Sequence, residues 1–103
     1  MKNEFNCKDI VITEQNAKAL IISKDDENSI LDTVIILPLS SSTLDDMFPY
    51  RVRIQNRDNL TDDSDILINQ ITTLNKFKIK EKIARLTQEE YDLVIQALCK
   101  NFK

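Results

Sequence analysis

The amino-acid sequence predicts a mainly β fold with a C-terminal α-helix, and three observations support this fold class. Short segments rich in β-branched residues recur along the chain, and polar segments separate them. A helix-capping sequence then precedes a final amphipathic stretch. The length of 103 residues allows one hydrophobic core. We therefore expect residues 1–103 to form a single domain.

The first three predicted strands lie in the N-terminal part of the chain. Residues 9–14 (DIVITE) and 19–23 (ALIIS) are short, apolar and closely spaced, which predicts a hairpin. The polar, acidic residues 24–29 predict a loop. Residues 33–40 (TVIILPLS) are almost continuously apolar, as in a strand that is buried on both faces. Pro38 within this strand predicts a bend or a sheet edge, because proline lacks the amide donor.

The fourth predicted strand, residues 49–55 (PYRVRIQ), alternates strictly between apolar and basic side chains. One face carries Tyr50, Val52 and Ile54, and the other carries Arg51 and Arg53. This strand is expected to present a basic face to solvent or to a ligand.

Two further strands are predicted before the helix. Residues 65–74 (DILINQITTL) are interpreted as one long strand. Residues 78–86 (KIKEKIARL) fit a strand or a helix by propensity, and the charges between Ile79 and Ile83 favour the strand. The fold is thus predicted to contain about six strands.

Thr87 and Glu90 have the spacing of a capping box, in which each side chain bonds the backbone amide of the other residue. A helix is therefore predicted to begin at residue 88. An apolar stripe at helical spacing follows, and we expect it to pack on the sheet. Its members are Tyr91, Val94, Ile95, Leu98 and Phe102.

The charge balance gives no general attraction for nucleic acid. Fourteen Lys and Arg residues stand against seventeen Asp and Glu residues, for a net charge of −3. Phosphate binding would therefore depend on local clusters. Two basic groups occur: Arg51, Arg53 and Arg57, and Lys76, Lys78, Lys80 and Lys82.

The residue types that usually hold metals are scarce. The chain has no histidine, and Cys7 and Cys99 lie at opposite ends without CxxC spacing. We interpret both cysteines as small buried thiols and expect no metal or cofactor. The absence of histidine also leaves acid–base chemistry to carboxylates, amines or the substrate.

The chain contains no glycine, so turns that require positive φ are predicted to use Asn or Asp. A glycine-rich phosphate loop is excluded for the same reason. The longest apolar run, residues 34–39, is far shorter than the roughly 20 residues of a membrane span. Residues 1–8 lack an apolar signal-peptide stretch. These features predict a cytoplasmic protein.

Four fragments in succession carry a family resemblance: VIILPLSSS, FPYRVRI, DILINQITTL and KIARLTQEEYDLVIQAL. In order and spacing, over residues 33–102, they resemble the MazF/PemK family of toxin endoribonucleases. The resemblance implies an SH3-like barrel of the MazF/PemK/CcdB type, a homodimer and an antitoxin partner. It also implies cleavage of single-stranded RNA by attack of the 2′-hydroxyl on the adjacent phosphate.

The same resemblance assigns two candidate catalytic residues. The Arg-Pro pair that usually precedes the second family strand is replaced here by Ala17 and Lys18. Lys18 can supply a point charge but lacks the planar fork of arginine. The family threonine at the end of the next strand is replaced by Ser40, which keeps a hydroxyl donor. The candidate catalytic pair is therefore Lys18 and Ser40.

The candidate RNA-binding residues come from the basic groups and from polar positions of the family pattern. The family Arg-Thr is replaced by Thr72 and Thr73, and the family glutamine is kept. The candidates are Arg51, Arg53, Gln70, Thr72 and Lys76.

Two alternative functions remain open. CcdB relatives poison DNA gyrase through aromatic and small residues at the extreme C-terminus, which Asn101, Phe102 and Lys103 match poorly. A catalytically degenerate, partner-binding family member is the other alternative. Each candidate residue also has an ordinary structural role, such as a turn cap for Ser40 or a solvated hairpin lysine for Lys18.

Overall fold

The computed structural model describes residues 5–102, and in that range the chain forms a largely antiparallel β structure with a C-terminal helix. The predicted fold class is confirmed. The strands are β1 (Asp9–Thr13), β2 (Lys18–Ile21), β3 (Thr33–Ser40), β4 (Arg51–Ile54), β5 (Ser64–Leu67), β6 (Thr72–Asn75) and β7 (Ile79–Arg85). The α-helices are α1 (Asp25–Ile30) and α2 (Gln88–Asn101).

The strands pair in the order β4-β5-β3-β2-β1-β7, and β6 pairs separately with β3. The predicted hairpin is confirmed as β1 and β2, with Val11 opposite Ala19. Within the described residues the pairing path stays open, since β4 and β7 are its two ends. The strand pairing of the barrel expected from the family resemblance is thus unclosed in the described residues.

Pro38 lies where β3 changes partners along one edge. Residues Thr33 to Ile36 of β3 pair with β6, whereas Leu39 and Ser40 pair with β5. On the other edge, Pro38 pairs with Ala19 of β2. A residue without an amide donor fits this gap between two ladders.

The long strand predicted over residues 65–74 is wrong, because a 3₁₀ turn at Ile68–Gln70 divides it into β5 and β6. Leu39 pairs with Ile66 and Ile36 pairs with Thr72. These two pairs are three residues apart in β3 but six residues apart in the segment that contains β5 and β6. The three extra residues leave the ladder and form the turn. A second difference is α1, a short helix where a loop was predicted.

Two apolar clusters pack on opposite faces of the sheet. The larger contains Ile10, Leu20, Leu37 and Ile66, together with Val94 and Ala97 of α2. The smaller contains Val11, Ala19, Ile21, Val34, Ile36 and Ile79. Because opposite residues of paired strands share a face, these clusters show to which side each strand position points.

The predicted start of the C-terminal helix is confirmed. Thr87 Oγ1 accepts a hydrogen bond from the Glu90 amide at 3.1 Å, and Glu90 Oε1 accepts one from the Thr87 amide at 2.9 Å. The predicted stripe is only partly correct, since Ile95 and Phe102 are 37% and 67% exposed. Val94 of the stripe is buried as predicted, and Ala97, which the stripe did not include, is buried as well.

The prediction of two buried thiols is wrong, because Cys7 is half-buried and Cys99 is exposed. The prediction for positive φ holds at Asn16, Asp46 and Asp58 but not at Lys8, which has φ of 79°. Hydrogen bonds from the Lys8 amide to Ile21 O and from the Leu86 amide to Lys8 O hold this backbone in place.

Among the helices of residues 5–102, none is long and apolar enough to cross a membrane.

Candidate functional site

One row of side chains crosses three neighbouring strands on the sheet face that also carries the smaller apolar cluster. Ser40 of β3 is paired with Asp65 of β5, and Asp65 is paired with Arg53 of β4. Directly paired residues lie on the same face, so the three side chains are neighbours. Arg51, two residues before Arg53, lies on this face as well. We call Ser40, Arg51, Arg53 and Asp65 the Asp65 cluster.

The centre of the cluster is a buried carboxylate that holds both arginines. Asp65 is 1% exposed, and its Oδ1 accepts from Arg53 Nε at 2.5 Å. Its Oδ2 accepts from Arg51 Nη1 at 3.1 Å and from the Leu44 amide at 2.8 Å. Burial by itself would raise the pKa of Asp65, but the hydrogen bonds from Arg53, Leu44 and Arg51 outweigh it, and the pKa is lowered.

Residues 41–47, which we call the covering loop, cross the Asp65 cluster. The loop is attached to it by Ser42, whose carbonyl accepts from Arg51 Nη1 at 3.0 Å, and by the Leu44 amide on Asp65. Asp45 Oδ1 adds an ion pair to Arg53 Nη2 at 2.9 Å. The loop side chains before Met47 are exposed. The cluster is therefore covered by a thin, solvated segment.

Ser40 is occupied by contacts within this loop. Its hydroxyl donates to Ser42 O at 3.2 Å and accepts from the Ser42 amide at 3.1 Å. This is the turn-capping role of serine. The same Ser42 carbonyl accepts from Arg51, so a hydroxyl and a guanidinium converge on one oxygen.

The side chains of Lys18 and Ser40 lie on opposite faces of the sheet. Lys18 is paired with Ile12 and alternates with Ala19, so it shares the face of Leu20 and of the larger apolar cluster. Ala19 is paired with Pro38, and Ser40, two residues after Pro38, lies on the face of that pair. The strand register therefore places Lys18 on the face opposite Ser40.

Gln70 and Thr72 lie farther along β3. Gln70 ends the 3₁₀ turn that packs against β3, and it is exposed. Thr72 is exposed and is paired with Ile36, so it lies on the face of Ser40 but four residues away, about 13 Å along the strand. Neither side chain has a hydrogen bond to the Asp65 cluster within residues 5–102.

Lys76 lies at the other end of β3. Its neighbour Asn75 pairs with Thr33, seven residues from Ser40, which corresponds to about 23 Å. Its amide donates to Asp32 O at 2.8 Å, and its Nζ bonds the carbonyl of Asn28. The structure therefore brings together Ser40, Arg51 and Arg53, and it places Lys18 and Lys76 elsewhere.

Sequence reasoning missed Asp65 and Asp45 as parts of this site, because no local pattern joins either carboxylate to the arginines of the fourth predicted strand. The only available signal was the pair Arg51 and Arg53 on one strand face, which requires a counter-charge when partly buried. Within residues 5–102, no group of three His, Cys, Asp or Glu side chains is placed to hold a metal ion.

Solved structures with the same fold come from bacterial toxin systems. An "Endoribonuclease from Mycobacterial species" is 19% identical with a TM-score of 0.83, and the match covers 99% of this chain and 94% of that one. An "Endoribonuclease in complex with its cognate antitoxin from Mycobacterial species" is 18% identical with a TM-score of 0.79 and coverages of 98% and 95%. The MazE-MazF structure (Form-I) from Deinococcus radiodurans is 14% identical with a TM-score of 0.83 and covers 98% of each chain.

The sequence itself matches a family model. The match extends over residues 8–102, nearly the whole chain, and the family is described as "PemK-like, MazF-like toxin of type II toxin-antitoxin system". The structural likenesses agree with it in fold. This chain belongs to the PemK-like, MazF-like toxin family of type II toxin-antitoxin systems.

Proposed function

We propose that this chain acts on single-stranded RNA as an endoribonuclease. The observation that carries the proposal is the meeting of the Ser40 hydroxyl and the Arg51 guanidinium at one oxygen, on a fold of this toxin family. A hydroxyl donor and a guanidinium suit a phosphodiester, since both donate to phosphoryl oxygens.

The proposed reaction uses a nucleophile that the RNA itself carries. The ribose 2′-oxygen bonds to the adjacent phosphorus, the bond from phosphorus to the 5′-oxygen breaks, and the 2′ proton leaves while the 5′-oxygen gains one. The products are a 2′,3′-cyclic phosphate and a 5′-hydroxyl end. Holding the 2′-oxygen in line and neutralising the phosphorane provide the rate enhancement, and neither effect requires histidine.

The test is incubation of the purified protein, free of any antitoxin, with a long single-stranded RNA and mapping of the ends by primer extension. We expect discrete cuts whose 5′-hydroxyl ends accept label from polynucleotide kinase without phosphatase treatment. Ser40→Ala should abolish the cuts, and the exposed neighbour Ser41→Ala should keep them. Intact RNA at high protein excess would contradict the proposal.

A second candidate is a family member that binds partners without cleaving RNA. Ala17 favours it, because this chain carries a methyl group at the position where the family resemblance implies a guanidinium. RNA that binds the protein but stays intact would support this candidate. A gyrase poison would instead leave RNA unbound and inhibit DNA supercoiling.

The proposal includes an antitoxin partner, a homodimer and a cytoplasmic location. Two structures of the same fold contain a partner, which is a cognate antitoxin in one and MazE in the other. Two segments with exposed apolar residues are also joined by Lys76, which bonds the carbonyls of Asn28 in α1 and of Asp32. Ile30 and Phe77 are 78% and 79% exposed there. Analytical ultracentrifugation of the purified chain would show a dimer, and a monomer at all concentrations would contradict this part of the proposal.

A further inference from the structure

We propose that Arg51 and Ser40 form the phosphodiester-binding pair of this protein, and that the Ser42 carbonyl of the covering loop occupies the position of a phosphoryl oxygen. This inference rests on the proposed action on RNA and names the residues that hold the backbone. It assigns the essential cation to β4, not to Lys18.

The first support is the geometry around the Ser42 carbonyl. Ser40 Oγ donates to this oxygen at 3.2 Å and Arg51 Nη1 donates at 3.0 Å. Phosphoryl oxygens are bound by the same kinds of donor, a hydroxyl and a guanidinium. The carbonyl oxygen is thus a neutral substitute for a ligand oxygen.

The second support is the donor capacity that Arg51 retains. Within the described residues its hydrogen bonds use Nη1 alone, which leaves Nε and Nη2 for a second oxygen. The side chain is 23% exposed, so a ligand can reach it once the loop moves. The planar fork of arginine matches two oxygens of one phosphate, which a lysine cannot do.

The third support is the division of charge between the two arginines. Arg53 bonds both Asp65 Oδ1 and Asp45, so its charge is balanced by carboxylates. Arg51 shares only Asp65 Oδ2, which also accepts from the Leu44 amide. The two guanidinium groups thus face two carboxylates, Asp65 and Asp45, and displacement of the exposed Asp45 with the loop would leave one positive charge in the cluster.

The covering loop must move before a phosphodiester can bind. Its attachments are the Ser42 contacts, the Leu44 amide and the ion pair of Asp45, which is 84% exposed. The exposed ion pair of Asp45 is weak and opens readily, whereas the Leu44 amide must leave a buried carboxylate. Asp45 also repels an incoming phosphate, so displacement of the loop removes a negative charge from the site.

The test measures binding of a short fluorescein-labelled single-stranded oligonucleotide with 2′-O-methyl groups, which cannot be cleaved by this route. Fluorescence anisotropy gives its Kd. We expect Arg51→Gln to weaken binding by about tenfold or more, because a charge-assisted hydrogen bond is lost. Arg51→Lys should recover part of the loss. Lys18→Gln, the matched control, should change Kd by less than about twofold.

Two further arms keep the test decisive. Asp45→Asn should tighten binding about two- to threefold, because it releases the loop from Arg53 and removes one repulsive charge. On wild-type protein, titration with the oligonucleotide should shift the NMR signals of the Ser42 amide and of Arg51 Nε–H, even if Arg51→Gln fails to fold. Inorganic phosphate as competitor distinguishes a general anion site from one that requires the nucleic-acid backbone.

The outcomes separate this inference from the proposed function. Cleaved RNA together with unchanged binding in Arg51→Gln, or an equal loss in Lys18→Gln, would overturn the inference and leave the nuclease proposal in place. Intact RNA together with binding that depends on Arg51 would support the inference and contradict cleavage. No shift at Ser42 and Arg51 on titration would overturn the inference as well.

Discussion

Two buried aspartates at opposite ends of the sheet each hold two cations, yet their surroundings differ. Asp9 of β1 is 0% exposed and accepts from Arg85 Nη1 at 2.7 Å, with Lys82 Nζ at 3.3 Å. Its Oδ2 accepts from the Asn6 amide at 2.8 Å. We call Asp9, Lys82 and Arg85 the Asp9 cluster. The Asp65 cluster has the same plan: a buried carboxylate, two cations and a backbone amide.

The difference lies in what borders each cluster. The cations of the Asp9 cluster come from β7, which is paired with β1, and the carboxylate joins these two strands. The Asp65 cluster also contains the hydroxyl of Ser40, and the covering loop is bonded to it through the Leu44 amide. The comparison teaches that a buried ion pair is not by itself evidence of a binding site, and that the neighbouring hydroxyl and loop are what distinguish the Asp65 cluster.

The largest expected effect comes from removal of both cations at either aspartate. Arg51→Gln with Arg53→Gln, and Lys82→Gln with Arg85→Gln, should each lower the free energy of unfolding by about 3–5 kcal/mol, because a buried carboxylate loses its partners. Urea denaturation at pH 7 measures both. The exposed pair Lys78→Gln with Lys80→Gln should change little. A large decrease in the free energy of unfolding at only one cluster would show that the two clusters do not stabilise the fold equally.

A medium effect is expected from Asp65→Asn, and it depends on pH. The variant should lose about 1–3 kcal/mol at pH 7, because charge-assisted bonds become neutral ones. The pKa of Asp65 is lowered in the folded state, so its stabilisation is complete above the unfolded pKa, about 4, and is lost as the pH falls through the folded value.

Urea denaturation from pH 7 to pH 3 should therefore show the difference between wild type and Asp65→Asn shrinking at the acidic end. A difference that stays constant over this range would show that the carboxylate charge is not what the variant removes.

The smallest expected effect is that of Asp45→Asn. Its ion pair with Arg53 is exposed, so the free energy of unfolding should change by about 0.5 kcal/mol or less. Hydrogen exchange at the Leu44 amide should nevertheless become about two- to fivefold faster, because the covering loop opens more often. The Asn6 amide on Asp9 serves as the reference and should keep its rate. Equal changes at both amides would argue against a local opening.

The candidate site was predictable in part. Ser40 and Arg51 were identified from the family resemblance and from strict strand alternation, both of which are local patterns. Lys18 was favoured because it is the cation closest in sequence to the missing arginine. The pleat turns adjacent residues to opposite faces, so nearness in sequence to the missing arginine does not place Lys18 on the face of Ser40.

The sequence by itself determined the order of the elements, the capped start of α2 and the family, because these depend on neighbours within one segment. Only the tertiary structure decided where the long strand breaks and which carboxylate balances Arg51 and Arg53. It also decided that the covering loop lies over Ser40. Those features depend on strand register between distant segments, and a shift of one residue would turn every side chain to the other face.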